Sequence, residues 1–325
     1  MHNCNNYMEK LDLFDFKLLH ELDKNSSITA ADLAHKIGRS KQFVLYRLNK
    51  LQEKVISGYY AIVDMSKLGY FTFRIYFKFQ QMTSEDGENF IKYVRDSFTQ
   101  VWTITSMHGK WDYALFLGVK SVTELHNIWD LIMLNYKNKI KSYNVSLYAP
   151  IHNFNRKFLY KKETNFVERI YGIGTPENID RIDEELLKIY ASNVRISSID
   201  IGKRLNISSD TVRRRIKNLE KRKIIVGYRI GLNLKSLGLT SYRVDLQLIS
   251  TKRNKELIQY CRQHKYIYQV NKTIGGADFE MELVAYDFNH LLELINDIKL
   301  KFSDVINDVE HFEFTTFHVL KYIPD

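Results

Sequence analysis

The same succession of apolar and polar positions runs along the chain twice. In each half, three short helical patterns come first. Val44, Leu48 and Leu51 recur at i, i+4 and i+7, and so do Val212, Ile216 and Leu219. That spacing predicts a helix with one apolar stripe and a polar face opposite it. Asp12 and Asp180 are N-cap candidates, each with an Asp three residues later; Thr29 and Ser197 precede Asp32 and Asp200 in the manner of a capping box, and Ser40 and Ser208 open the third helix. Only Gly38-Arg39 or Asn206-Ile207 separates the second helix from the third, a turn short enough to predict a helix-turn-helix.

The period then changes. TFRIYFKF and SYRVDLQLI read as strands, followed by a helical stretch, two strands around a turn, a second helix and a last strand. The order β-α-β-β-α-β predicts a ferredoxin-like domain. The apolar and aromatic set Phe73, Ile75, Phe77 and Phe79 is expected on a sheet face left bare by the helices, so that the two sheets of the chain pack on each other.

A constant shift of 168 residues aligns Asp12 with Asp180, Ser40 with Ser208 and Arg47 with Arg215. One residue is then inserted, so Gly58 meets Gly227. A repeat this long is a duplicated domain pair and not a solenoid. Pro150 and Pro176 bracket a charged segment, which reads as a linker. The expected organisation is α+β: a winged helix-turn-helix at 8–62, a ferredoxin-like effector or assembly domain at 63–155, a linker at 156–176, a second winged helix-turn-helix at 177–231 and a second ferredoxin-like domain at 232–325.

Composition narrows the function. No apolar run is long enough to span a membrane and no signal-peptide block opens the chain, so a cytoplasmic location is expected. Cys4 and Cys261 read as free thiols; no metal-ligand spacing, cofactor motif or catalytic constellation is found. Lys and Arg number 48 against 38 Asp and Glu, a net charge of +10, which suits a polyanionic partner.

That charge gathers on the third helices. Seven basic and two acidic residues lie between Ser208 and Lys223, and four and one between Ser40 and Lys54. A basic polar face on the last helix of a helix-turn-helix matches what a DNA major groove offers. The recognition helices are placed at 40–53 and 208–222. The candidate DNA contacts are Ser40, Lys41, Gln42, Tyr46 and Arg47 in copy one. In copy two they are Ser208, Ser209, Thr211, Arg213, Arg214, Arg215 and Lys217. Arg47 and Arg215 fit a phosphate contact and a local acid equally well. The two helices differ in their exposed residues, so an asymmetric site, read mainly by copy two, is expected.

The starts LDLFDFKLL and IDRIDEELL, the link LEKRKIIVGYRIGLNLKSLG, and the Gly-x-x-Asp turns Gly109 to Asp112 and Gly275 to Asp278 together resemble the Lrp/AsnC family of prokaryotic transcription regulators. The resemblance covers nearly the whole chain, twice, where typical members carry one unit. It implies effector domains that pair through their sheets, double-stranded DNA as partner, and an amino-acid or other small-molecule effector near Gly109, Asp112, Gly275 and Asp278. Those four residues also suit a plain hairpin turn. Within one chain the resemblance implies either an internal pseudo-dimer or like-with-like assembly into a larger oligomer.

Two rival classes share this architecture. The siroheme decarboxylases resemble it, but their His-Asn-Tyr and Arg signature is absent from VWTITSMHGKWDY and VNKTIGGADFEM, leaving His108 as a lone acid/base candidate. An adaptor that does not bind DNA is the other; Phe43, Leu45 and Tyr46 would suit copy one to it.

Overall fold

A computed structural model describes residues 11–160, 166–321 and 323. Cys4 and Pro324 lie outside the described residues.

In copy one, α1 (Leu13–Lys24), α2 (Ala30–Ile37) and α3 (Lys41–Lys54) are followed by β1 (Ile56–Val63). In copy two, α6 (Arg181–Ser192), α7 (Ser198–Leu205) and α8 (Ser209–Lys221) are followed by β7 (Ile225–Leu232). The six predicted caps all accept backbone N–H groups, and Asp12 with Asp15 completes a reciprocal capping box. The wing strands pair across the duplication: β1 runs antiparallel to β7, with Tyr59 opposite Ile230 and Ala61 opposite Tyr228. The helices of both copies therefore share one core, from Leu18, Leu33 and Leu48 to Leu186, Ile201 and Leu219.

The effector half of copy one comprises β2 (Phe71–Phe79), α4 (Ser84–Ser97), β3 (Val101–His108), β4 (Tyr113–Val119), α5 (Val122–Tyr136) and β5 (Ile140–Phe154). A short strand, β6 (Glu168–Tyr171), follows. Copy two repeats the order as β8 (Thr240–Leu248), α9 (Asn254–Gln263), β9 (Ile267–Ile274), β10 (Phe279–Ala285), α10 (Phe288–Lys301) and β11 (Ile306–Leu320).

The two sheets do not lie face to face as expected. They join at both edges, β5 to β9 and β11 to β3, and β2 to β5 completes an antiparallel ring of eight strands in the order β2-β4-β3-β11-β8-β10-β9-β5. The seams are possible because β5 and β11 are long enough to pair within their own copy over one half and with the other copy over the rest. Closure removes the open edges of both sheets.

The apolar face of β2 is correspondingly the covered one and not the bare one expected. Ile75, Phe77 and Phe79 pack outward under α4 and α5, against Phe90, Val94, Ile128 and Ile132, with Phe73 at the margin. Strand alternation then turns Thr72, Arg74, Tyr76 and Lys78 the other way. The face inside the barrel is polar at its middle: Arg243, wholly buried, bonds Asp245 at 2.7 Å and the Tyr148 hydroxyl at 2.8 Å, pairs with Glu280, and meets Glu282 at 3.4 Å. Arg74 also reaches Glu282, at 3.4 Å, and donates to the Tyr76 hydroxyl at 3.1 Å.

The described parts of segment 156–176, expected as a linker, include a paired strand. β6 pairs with the end of β5, and Arg169, buried, and Arg156, half-buried, lie between the helix-turn-helix pair and the barrel mouth.

Candidate nucleic-acid interface

The turn before each recognition helix needs a left-handed residue. Gly38, at φ 67°, takes that conformation without a side-chain clash, and Asn206, at φ 55°, is a residue type that tolerates it. Ser40 and Ser208 then cap α3 and α8, their hydroxyls accepting from the N–H of Phe43 at 3.2 Å and of Thr211 at 3.1 Å. The Thr211 hydroxyl lies 2.9 Å from that of Ser208. These three residues are thereby engaged in shaping the helix starts.

Arg47 and Arg215 both turn to local acids. Arg47 bridges Asp12 at 2.7 Å and Asp15 at 3.1 Å; Arg215 bridges Asp180 and Asp183, each at 2.8 Å. Each clamps the recognition helix to the start of the first helix of its unit. The Asp180 carboxylate is held below its usual range by the Asp183 N–H it accepts and by Arg215, against a little burial.

The remaining candidates face solvent, with Ser209 half-buried. On α3 these are Lys41, Gln42 and Tyr46, beside exposed Leu45 and Asn49; the Lys50 ammonium sits 4.5 Å from the centre of the Tyr46 ring. On α8 they are Arg213, Arg214 and Lys217, Arg213 pairing with Asp210 one turn back. α8 thus presents a denser cationic face. Sequence reasoning passed over Lys203 and Arg204, exposed in the last turn of α7 on the approach to the recognition turn. Their position in the helix before that turn was the available signal.

The Gly-x-x-Asp turns lie at the seams between the copies. A Cβ on Gly109 would meet Phe312 and the His311 carbonyl of β11, and one on Gly275 would collide with the Val145 carbonyl of β5. The aspartates are committed to the fold: Asp112 accepts from Phe79 N–H and from Lys78, at 2.8 and 2.7 Å, and Asp278 accepts from Leu248 N–H at 2.8 Å. His108 is exposed at the end of β3, opposite Glu313 of β11. Among the described residues, no cluster of three or more His, Cys, Asp or Glu is arranged to hold a metal ion. Cys261 is buried, which pushes its thiol far above the ordinary range. Among the described residues, no helix is long and apolar enough to cross a membrane.

A winged helix-turn-helix DNA-binding profile matches twice, at residues 11–54 and 179–226. The HTH-type transcriptional regulator Ptr1 of Methanocaldococcus jannaschii is 33% identical over 113 residues, 35% of this chain and 76% of that protein. The chain belongs to the Lrp/AsnC family of transcription regulators. A second Lrp/AsnC relative, the HTH-type transcriptional regulator LrpA of Pyrococcus horikoshii, is 29% identical over 121 residues, 37% of this chain and 84% of that protein. Both matches span one unit's worth of an Lrp/AsnC chain that here carries two. Across its whole length the chain is similar in fold to the siroheme decarboxylase NirDL, with a TM-score of 0.65 over 95% of this chain and 94% of that one, at 14% identity. That likeness concerns the fold.

Proposed function

We propose that this Lrp/AsnC chain is a sequence-specific DNA-binding transcription regulator, working from the cytoplasm as an internal pseudo-dimer, with α3 and α8 entering successive major grooves. The observation that carries the reading is the exposed face of α8, where Arg213, Arg214 and Lys217 project from the second helix of a capped helix-turn-helix. Copy two supplies most of the phosphate affinity; copy one, with Lys41, Gln42 and Tyr46, reads a different and weaker half-site. Ser209 and the exposed Lys203 and Arg204 extend the phosphate-binding surface. An amino acid or similar metabolite bound at the seam turns, near Gly109, Asp112, Gly275 and Asp278, tunes the arrangement of the two halves.

Footprinting on DNA fragments selected from the source genome, beginning upstream of this gene, tests the reading. Two protected segments about one helical turn or a multiple apart are expected. A single segment would assign recognition to copy two alone and leave copy one as a structural module. Absence of protection at low salt, with or without amino acids, would refute the regulator reading. The similarity of fold to NirDL motivates one control: titration with an iron-uroporphyrin, in which a shift of the tetrapyrrole absorbance would support an enzyme.

A further inference from the structure

Between the paired wing strands and the open mouth of the barrel lies a cavity of about 530 Å³. Its volume falls within the usual range for small-molecule sites, roughly 300–1,000 Å³. It is distinct from the seam turns: none of Gly109, Asp112, Gly275 or Asp278 lines it. Aromatic side chains form much of its wall, among them Trp102, Phe116 and Tyr268, and Arg156 and Arg229 supply its cationic side.

The charge at this wall is unbalanced. Arg156, Arg169 and Arg229 converge on one carboxylate, Asp23, which is wholly buried. Asp23 accepts from Arg156 at 2.9 Å and from Arg229 at 3.1 Å, while Arg169 spends its donors on the backbone carbonyls of Asp23, Lys24 and Tyr228 and on Asn153. Among the described residues, Asp23 is the one carboxylate paired with any of the three. Burial and the neighbouring Arg229 bring the Arg156 guanidinium down to about 10, still charged at neutral pH. The acid on the cavity wall, Glu282, is turned to Arg74 and Arg243 of the barrel interior, at 3.4 Å each. A buried cluster with surplus positive charge is costly unless an anion completes it.

Two further observations define the rest of the ligand. The Arg156 and Arg229 guanidiniums lie 5.8 and 5.5 Å from the centre of the Tyr268 ring, so the cations and an aromatic surface are presented side by side. Trp102 is 5% exposed, and its indole Nε1 is buried with no hydrogen-bond partner among the described residues. A buried donor without a partner, on the wall of a cavity, calls for an acceptor from a ligand or ordered water.

We propose that this cavity binds one small organic anion with a flat aromatic body: its carboxylate lies against Arg156 and Arg229, and its ring system lies among Trp102, Phe116 and Tyr268. The site joins the helix-turn-helix pair to the barrel, so its occupant bridges the two. The binding claim does not depend on DNA recognition, and its test contains none.

The test uses the full-length chain with three probes: 2-naphthoate, its neutral isostere 2-naphthamide, and inorganic phosphate, which has charge without the ring. Calorimetry gives stoichiometry and affinity, and the fluorescence change lost in Trp102→Phe locates the site. One 2-naphthoate per chain is expected, bound at least tenfold more tightly than the amide and than phosphate. Arg229→Met removes the cation and should weaken the acid at least tenfold while sparing the amide. Because that residue also contacts Asp23, Leu320→Glu is the second variant. Leu320 lines the cavity and is 52% exposed, so a glutamate there leaves the core intact and repels an anion. It too should weaken 2-naphthoate at least tenfold. Equal affinity for acid and amide, several equivalents per chain, binding indifferent to Leu320→Glu, phosphate binding tighter than naphthoate, or no binding at millimolar concentration would each overturn the proposal.

Discussion

Inside the barrel, the first copy surrounds Arg74 with Tyr76, Ala114 and Phe116, whereas the second surrounds Arg243 with Asp245, Glu280 and Glu282 at the corresponding strand positions. Each copy thus contributes one arginine, but the acids come from copy two, and Glu282 reaches both arginines. The recognition helices differ in the same sense: α8 concentrates cations where α3 carries Lys41, Gln42, Leu45 and Tyr46. Once two copies are covalently joined, neither has to be complete by itself. Charge balance, cavity walls and DNA contacts can be divided between halves that in a symmetric dimer would be identical.

The largest effect that would test this division is expected in the barrel. Arg243→Met leaves the buried Asp245 and Glu280 without their arginine, and Glu282 with Arg74 alone, and should cost about 3–5 kcal/mol in urea unfolding. Arg74→Met removes a guanidinium with a single shared acid and should cost about 1–3 kcal/mol. Equal losses would show that the acids of copy two are not what separates the two positions.

On DNA, Arg213→Ala with Arg214→Ala should reduce affinity about 100-fold at moderate salt and lower the slope of log affinity against log salt by about 2. Lys41→Ala in copy one should lower it by about 1 at most. Comparable slopes for the two copies would make the recognition helices equal partners.

A smaller effect separates positioning from contact. Arg47→Ala and Arg215→Ala should each cost about 1 kcal/mol of stability, through loss of the clamp to Asp12 and Asp15 or to Asp180 and Asp183. The salt slope of DNA binding should stay unchanged. A fall in slope would place these arginines on phosphates.

The smallest concerns pH. His264 ends α9 where Phe98 ends α4. Burial, with Lys157 and His290 nearby and Asp297 opposing them, brings His264 down to about 4. Its contribution to stability is therefore complete above the ordinary histidine value of about 6.5 and is lost as pH falls from there toward 4. His264→Phe, which installs the copy-one residue, should remove on the order of 1–2 kcal/mol of acid sensitivity in that window, after allowance for partial exposure. An unchanged pH profile would assign the sensitivity to other groups.

Much of this architecture was legible in the residues. The caps at Asp12, Thr29, Ser40 and their counterparts are local hydrogen-bonding signals, and each accepts its backbone N–H, although at Thr29 and Ser197 the acid three residues on does not return a bond to the cap's N–H as a full capping box would. The duplication and the order of strands and helices follow from periodicity. What escaped was non-local. The face of β2 that packs under the helices reads as bare in the sequence because alternation alone does not say which side is covered. Closure into a barrel depends on pairings such as β11 with β3, between residues about two hundred positions apart. The surplus charge around Asp23 draws on α1, β6, β7 and the segment after β5, so no stretch of sequence carries it. Arg47 and Arg215 could be assigned to their acids only once the first and third helices were placed side by side.

The seams also change how concentration enters. A regulator built from separate chains must first find its partner, and its active form declines with the square of its abundance when scarce. Here β1 with β7, and both barrel seams, hold the partner in permanent register within one polypeptide. If the chain binds DNA as the internal pseudo-dimer proposed above, occupancy of a paired site rises in simple proportion to the number of chains, and a cell making only a few copies still possesses a working pair.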